Sequence, residues 1–454
     1  MAAVVLLLTL LPACKKFLDV PPSETVLSSA KVFADQAQAD QVRAGMYADI
    51  MGNQGLLNGL VSRTASYYSD DLTESSSSDD TPFALNTLSA DNALIKTIWG
   101  TGYRTIHNAN VIIEGVNGPG ALPDAVRTRM KGEASFMRAL ANFYLVNLFG
   151  DVPLVLTTDV EAAAVLPRTP ADKVYAQIVT DLQEAEQSLP SYYGSDPTLS
   201  DSRIYPTRYA AAALLARVWL TRGNAAGAVQ QASFVIDSGG FRLTTDLGQT
   251  FLAGSGETIF HLAPLPELSY NTQEGLYFLS ASPALPPPCY LTDGLADAFD
   301  SGDARKTSWL RAIYINGRQR YSPYKYKTFG GKPPFVEYNI VLRLSEQFLI
   351  RAEARLPLGD LAGARQDINM VRARAGLAPL SDSLTAQQLL QAVIHERRTE
   401  LFTEWGLRWL DLLRWQGDVL AGVKGSGWPA DKVRWPIPAD QLTLNPYLVQ
   451  NPGY

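Results

Sequence analysis

Apolar residues recur with the period of a helix in several long stretches of the chain. Over 28–50 the stripe is Val32, Phe33, Val42 and Met46. Over 93–116 it runs through Ile95, Ile98, Trp99, Tyr103, Ile106, Ala109 and Ile112, which places Trp99 and Tyr103 in the core. The segment 132–156 predicts a long amphipathic helix closed by Gly150, with Pro153 beyond it. Another amphipathic helix is predicted over 172–189. Over 391–415 the apolar face is Leu390, Ile394, Leu401, Trp405, Trp409 and Leu412. Glu396, Arg397, Arg398, Glu400, Glu404 and Arg408 in the same stretch predict an ion-pair network, with Glu404 and Arg408 one turn apart in the favourable order. Gly406 predicts a helix break or a close backbone contact.

Two helical stretches echo each other. LLARVWLTRGNAAGAVQQASFVI over 214–236 matches LIRAEARLPLGDLAGARQDINMV over 349–371. Counted from Gly223 and Gly359, small residues fall at the same places: Ala216 with Ala352, and Ala228 with Ala364. Small residues so placed let two helices of a hairpin approach closely, as in tetratricopeptide-like units. The copies are 136 residues apart, so they are not in tandem along the chain.

Two stretches break the helical pattern. Residues 51–92 are rich in Gly, Ser, Asn and Asp and predict a loop, in which Tyr67 and Tyr68 stand beside Asp70, Asp71, Asp79 and Asp80. Residues 264–340 hold eight of the twenty tyrosines, together with Trp309 and a proline cluster at 283 and 286–288. Proline excludes regular helix there. Irregular aromatic-rich regions on a rigid frame are where binding residues concentrate. Tyr and Trp offer a flat apolar face and a polar tip, which suits the C–H faces and hydroxyls of sugar rings.

Composition narrows the function. An apolar share of 46%, a charged share of 19% and a length of 454 residues are those of a globular protein with a sizeable core. A net charge of −6 argues against a nucleic-acid partner. The three histidines, His107, His261 and His395, are far apart. His395-Glu396 begins a zinc-binding HExxH motif, but Thr399 stands where the second histidine is needed. There is no GxSxG elbow, P-loop or CxxC. Asp70/Asp71 and Asp79/Asp80 are the only obvious paired acids for glycoside hydrolysis, and adjacent acids in a Ser-rich loop are a weak signal.

The first thirteen residues, MAAVVLLLTLLPA, form an apolar run before Cys14. The run is too short for a stable span and predicts the hydrophobic part of a secretory signal; the alternative is a buried strand. LPAC resembles a bacterial lipoprotein box, although Pro12 is unusual there and no Lys or Arg precedes the run. Acylation of Cys14 leaves Cys289 without an intrachain disulfide partner.

Several segments together resemble the SusD/RagB family, the starch-utilisation-system D lipoproteins of Bacteroidetes. They are ERRTELFTEWGLRWLDLLRW over 396–415 and WPIPADQLTLNPYLVQNPGY over 435–454. CKKFLDVPP at 14–22, the W-x3-Y-x2-I-x2-A-N pattern from Trp99, FGDVPL at 149–154 and the segment 295–317 also fit, with Asp303 and Arg305 expected to be structural. The resemblance implies a mainly α fold: a tetratricopeptide-like helical scaffold at about 28–250 and 341–454, carrying a loop-rich ligand region at about 264–340. Residues 1–13 would be the signal peptide and 14–454 one domain.

It also implies a non-enzymatic lipoprotein of the outer-membrane surface, anchored through Cys14, without cofactor or metal. Such a protein captures a glycan and passes it to a SusC-like TonB-dependent transporter. The alternatives are a peptide-binding RagB-like lipoprotein, a surface glycoside hydrolase or a helical adaptor. The expected ligand surface combines residues 66–83 with 264–340, with candidates Tyr67, Tyr68, Asp70, Asp71, Tyr270, Tyr290, Trp309 and Tyr324.

Overall fold

Each apolar stripe becomes a helix, and the helices pack in chain order. The computed structural model of the protein describes residues 29–52, 54–74, 79–120, 122–194, 200–282, 285–415, 417–425 and 428–454. The expected signal peptide at 1–13 and the expected lipidation site Cys14 lie outside the described residues. The long helices are α1 (Gln36–Gly52), α2 (Leu60–Tyr68), α3 (Ala93–Asn117), α4 (Asp124–Phe149), α5 (Ala171–Ser188), α6 (Arg208–Thr221), α7 (Ala225–Ser238), α8 (Leu344–Arg355), α9 (Leu361–Arg374), α10 (Ala386–Leu401) and α11 (Leu407–Trp415). From α3 onward each packs on the next, up to α10 and α11, and α11 returns to α2.

Several elements differ from the sequence expectation; the stretch 51–92, expected as loop, contains α2, which carries Tyr67 and Tyr68. The first stripe is split: a short helix, Ser29–Val32, precedes α1, and the Phe33 ring between them fills the space left by Gly115 of α3. The helix expected from 132 starts earlier, at Asp124, and Gly150 closes it after Phe149 as expected. It is buried on every side from Gly132 to Phe149 rather than along one stripe. Neighbours cover the extra faces: Phe136 meets Phe260 edge-on at 5.2 Å, and Tyr144 lies 5.9 Å from Trp405. A buried polar link ties α3, α4 and α5 together: Arg138 donates two hydrogen bonds to Asp181, at 2.7 and 2.8 Å, and one to Asn110 at 2.8 Å.

The echoed segments form two helical hairpins. The copies, α6–α7 and α8–α9, are distant in sequence yet adjacent in space, because α7 packs directly on α8. Gly223 and Gly359 hold the same turn position with φ of 71° and 80°, a left-handed conformation that glycine adopts without strain. Asn224 and Asp360 then cap the following helices through Gly227 and Gly363. Ala216, Ala352, Ala228 and Ala364 are all fully buried. Residues 239–343 leave the array between the copies, and strand pairing closes the base of this excursion. Strand β2 (Thr258–Leu262) runs antiparallel to β6 (Asn339–Arg343), with Thr258 opposite Arg343 and Leu262 opposite Asn339.

The excursion is less irregular than its composition implies. Strand β3 (Cys289–Leu291) pairs with β1 (Leu72–Glu74), which lies in the first irregular stretch. Strands β4 (Leu310–Ile315) and β5 (Arg318–Pro323) form a hairpin through Asn316-Gly317. Both turn residues have positive φ, the geometry that an Asn-Gly pair favours between strands.

A buried charge cluster locks the excursion to the C-terminal helices. Arg305 reaches Asp303, Glu396 and Glu400 at 2.7, 2.5 and 3.0 Å. Arg343 reaches Glu400 and Glu404 at 2.5 and 2.6 Å. Arg374 pairs with Glu257 at 2.6 Å and with Glu400. Lys325 donates to the carbonyls of Glu400 and Phe402, each at 2.8 Å, and pairs with Glu404. The buried face of α10 therefore carries Glu396, Arg397 and Glu400 beside Leu389 and Val393, while Leu390 and Ile394 are half-buried. The chain breaks between α10 and α11, where Thr403, Trp405 and Gly406 have φ of 56°, 50° and 65°. That break separates Glu404 from Arg408, so the expected one-turn pair does not form. A side chain at position 406 would meet the Ala65 methyl at 2.8 Å, so Gly406 marks both a break and a close contact.

Candidate ligand surface

The two irregular stretches meet where β1 lies against β3, with Leu72 opposite Leu291, Thr73 opposite Tyr290 and Glu74 opposite Cys289. Thr292 extends the joint: its N–H donates to the Asp71 carbonyl at 3.0 Å and its hydroxyl to the Asp70 carbonyl at 2.8 Å. The β4–β5 hairpin packs on β3 through β5. The described parts of 66–83 and 264–340 thus meet, and the hairpin beside β3 carries exposed surface in this region.

Along this surface a cleft of about 470 Å³ opens between the Pro-rich loop and the hairpin. Leu279, Ser280, Leu285, Pro286 and Pro287 form one wall. Arg311, Ile313, Tyr314, Ile315, Asn316 and Ser322 form the other. Tyr314 is 72% exposed and Leu285 57% exposed, so both present open apolar area. The cleft combines an aromatic ring and aliphatic patches with a few polar groups, the usual constitution of a small-molecule site. No carboxylate is found among its described lining residues.

The eight candidates from the sequence separate by burial. Tyr68 is fully buried: its hydroxyl donates to the Lys432 carbonyl at 2.7 Å, and its ring meets Trp409, Trp435 and Trp428 edge-on. Trp309 is fully buried too, its indole N–H donating to the Leu247 carbonyl at 3.0 Å while its ring walls the charge cluster beside Lys325 and Arg374. Tyr67 and Tyr290 are buried in α2 and β3. These four rings offer no open face to a ligand. Asp71 is fully buried, and burial pushes its carboxyl pKa upward against the pull of Arg408 and Arg398.

The remaining three are partly exposed. Asp70 has a φ of 59° and pairs with Lys424 at 2.8 Å. The Tyr270 hydroxyl accepts from Gln273 at 2.8 Å. Tyr324 lies between Lys327, at 4.6 Å from its ring centre, and Arg311, at 6.0 Å. Sequence reasoning did not single out Tyr314, Arg311 or Asn316. The available signal was the Asn-Gly pair inside an alternating run, which marks a hairpin and therefore a projecting edge.

Other known proteins carry this architecture. A family model described as starch-binding, associating with the outer membrane, matches residues 16–220, and one described as the SusD family matches residues 330–429. SusD-like protein P25 of Formosa agariphila is 24% identical, with 97% of each chain covered. A SusD superfamily protein from Bacteroides vulgatus has a TM-score of 0.79 at 21% identity, over 93% of this chain and all of the other. A laminarin-binding SusD-like protein has a TM-score of 0.77 at 24% identity, over 92% of this chain and 99% of the other. Two family models that together match about two thirds of the chain, and a full-length likeness to a SusD-like relative, agree: the chain belongs to the SusD/RagB family, and it shares the tetratricopeptide-like helical fold of the solved structures.

Proposed function

We propose that this protein is a non-enzymatic, cell-surface lipoprotein that captures an oligo- or polysaccharide and delivers it to a SusC-like TonB-dependent transporter in the outer membrane. The observation that carries the reading is the cleft between the Pro-rich loop and the β4–β5 hairpin. There the exposed Tyr314 offers a stacking ring, with Asn316 and Ser280 close by for hydroxyls. A glycosidase needs two carboxylates flanking the scissile bond, and the described lining residues supply none. The family model described as starch-binding and the laminarin-binding neighbour point to the same ligand class. Asp70, Tyr270 and Tyr324 are the proposed outlying contacts among the sequence candidates, and Cys14 is the proposed lipid attachment.

The test is a glycan array with purified protein, followed by titration calorimetry on each hit. Binding without release of reducing ends, weakened by Tyr314→Ala, is the expected result. Cleavage of a bound glycan, or hits unaffected by Tyr314→Ala, would overturn the assignment. The transporter is tested by purifying tagged protein from mildly solubilised outer membranes, where a co-purifying barrel is expected.

A further inference from the structure

We propose that the cleft selects glycans bearing anionic groups, uronate carboxylates or sulfate esters, over neutral glycans; this rests on the glycan-capture reading above. The observation is the charge arrangement of the hairpin. In the β4–β5 register Arg311 lies opposite Ser322, Ile313 opposite Arg320 and Ile315 opposite Arg318. Directly opposed residues share a face of the ribbon, and residues two apart on one strand share it too. Arg311, Arg320 and Arg318 therefore stand on the same face as Ile313 and Ile315, which line the cleft.

Among the described residues, the three guanidinium groups on that face are met by one carboxylate. Asp293 pairs with Arg318 at 2.6 Å and with Arg320 at 3.3 Å. Arg311 is exposed and forms no ion pair with any described residue; its nearest recorded partner is the Tyr324 ring. It is the only charged residue among the described lining of the cleft. A planar guanidinium with free donors matches a carboxylate or sulfate in a two-pronged geometry. The chain's net charge of −6 does not cancel this patch. At physiological ionic strength charges beyond about 8 Å are largely screened, so the local excess decides. Between the arginines, Ile313 and Ile315 give the aliphatic strip on which a sugar ring can lie.

The experiment uses the full chain and five probes: oligogalacturonate, the same oligomer with its carboxyls reduced to alcohols, a sulfated galactan oligomer, laminarin oligosaccharide and poly-L-glutamate. Binding is measured by calorimetry at two salt concentrations for wild type, Arg311→Gln and Arg311→Lys. The exposed position of Arg311 leaves folding intact, and circular dichroism verifies this. The expected result is binding of the uronate or the sulfated probe, weakened by salt. Arg311→Gln should weaken it roughly tenfold or more, with partial rescue by Arg311→Lys. The two charged glycan probes distinguish carboxylate from sulfate. Equal binding of the reduced oligomer, preference for laminarin, or indifference to Arg311→Gln would overturn the anion selectivity while leaving glycan capture standing. Binding of poly-L-glutamate in place of every glycan, or binding of no glycan on the wider array, would overturn both.

Discussion

Arg343 Nη1 lies 2.5 Å from Glu400 Oε1, and both side chains are almost wholly removed from solvent. The pair joins the last residue of β6 to the last turn of α10, so it fixes the exit of the excursion against the C-terminal helices. Burial opposes ionisation of Glu400, yet Arg374, Arg343 and Arg305 overcome it and hold its pKa well below the usual carboxylate range. Removing one partner strands charge in the interior. Glu400→Gln should therefore cost about 3–5 kcal/mol, measured as a lower urea midpoint at pH 7. A folded-state pKa below the unfolded one stabilises above the unfolded value and is lost in acid. The difference between wild type and variant should accordingly shrink below pH 4. An unchanged midpoint at pH 7 would show that the cluster does not hold the excursion.

Glu274 should tilt stability the other way. Burial raises its pKa to about 8, against a hydrogen bond from Ser62 that lowers it. The folded state then holds a proton that the unfolded state has released, so stability falls as pH rises from about 4.5 to 8. Glu274→Gln keeps the shape and removes the titration. Its urea midpoint should vary less than wild type between pH 5 and pH 8, and a parallel dependence in the two proteins would refute the assignment.

Two glycines with similar backbone angles should respond differently to alanine. At Gly406 a methyl adds a 2.8 Å clash with Ala65 to the left-handed strain, for a cost of about 2–4 kcal/mol. At Gly359 the space is open and only the strain remains, about 1–2 kcal/mol. Denaturation midpoints of the two variants compare them, and equal losses would mean that the α2 contact is unimportant.

Aromatic residues of the excursion should divide by role. Trp309→Ala removes a fully buried ring and should destabilise by about 3–5 kcal/mol. Tyr314→Ala should leave stability unchanged and cost about 1–2 kcal/mol of glycan affinity. The pairing of melting and calorimetric data on each variant decides, and the reverse pattern would move the site away from the cleft.

Cys14→Ser should release the protein from membranes into the soluble fraction, because stable anchoring needs the acyl chains. Fractionation of cells expressing each form measures this. Retention of the variant in the outer membrane would mean that something other than Cys14 holds it there.

Much of the architecture is readable from the order of residues. Helix period, small residues at the echoed positions and the turn glycines Gly223 and Gly359 are local signals, and they predict the helical hairpins directly. Gly406 announces its break for the same reason: a backbone requirement is written in the residue that meets it. What could not be read is which polar residues go inside. Glu396, Arg397 and Glu400 read in sequence as an ion-pair network but not as a buried one, because their counter-charges Arg305, Arg343, Arg374 and Asp411 arrive from other elements. The same holds for the aromatics: composition gathers the tyrosines and Trp309 into one region but cannot tell a ring walled in by lysine and arginine from one standing in solvent.

The sequence alone therefore determined the helical scaffold, the place where it is interrupted and the family resemblance, since these rest on periodicity and on short contiguous motifs. Only the tertiary structure decided that the two echoed hairpins are neighbours, that the two irregular stretches meet through β1 and β3, and that the open cleft is lined by Arg311 and Tyr314 rather than Trp309. Those facts depend on strand pairings between residues 77 to 219 positions apart, β2 with β6 and β1 with β3. No local pattern encodes a partner that far along the chain, and it is the partner that determines which face of a strand or helix meets water.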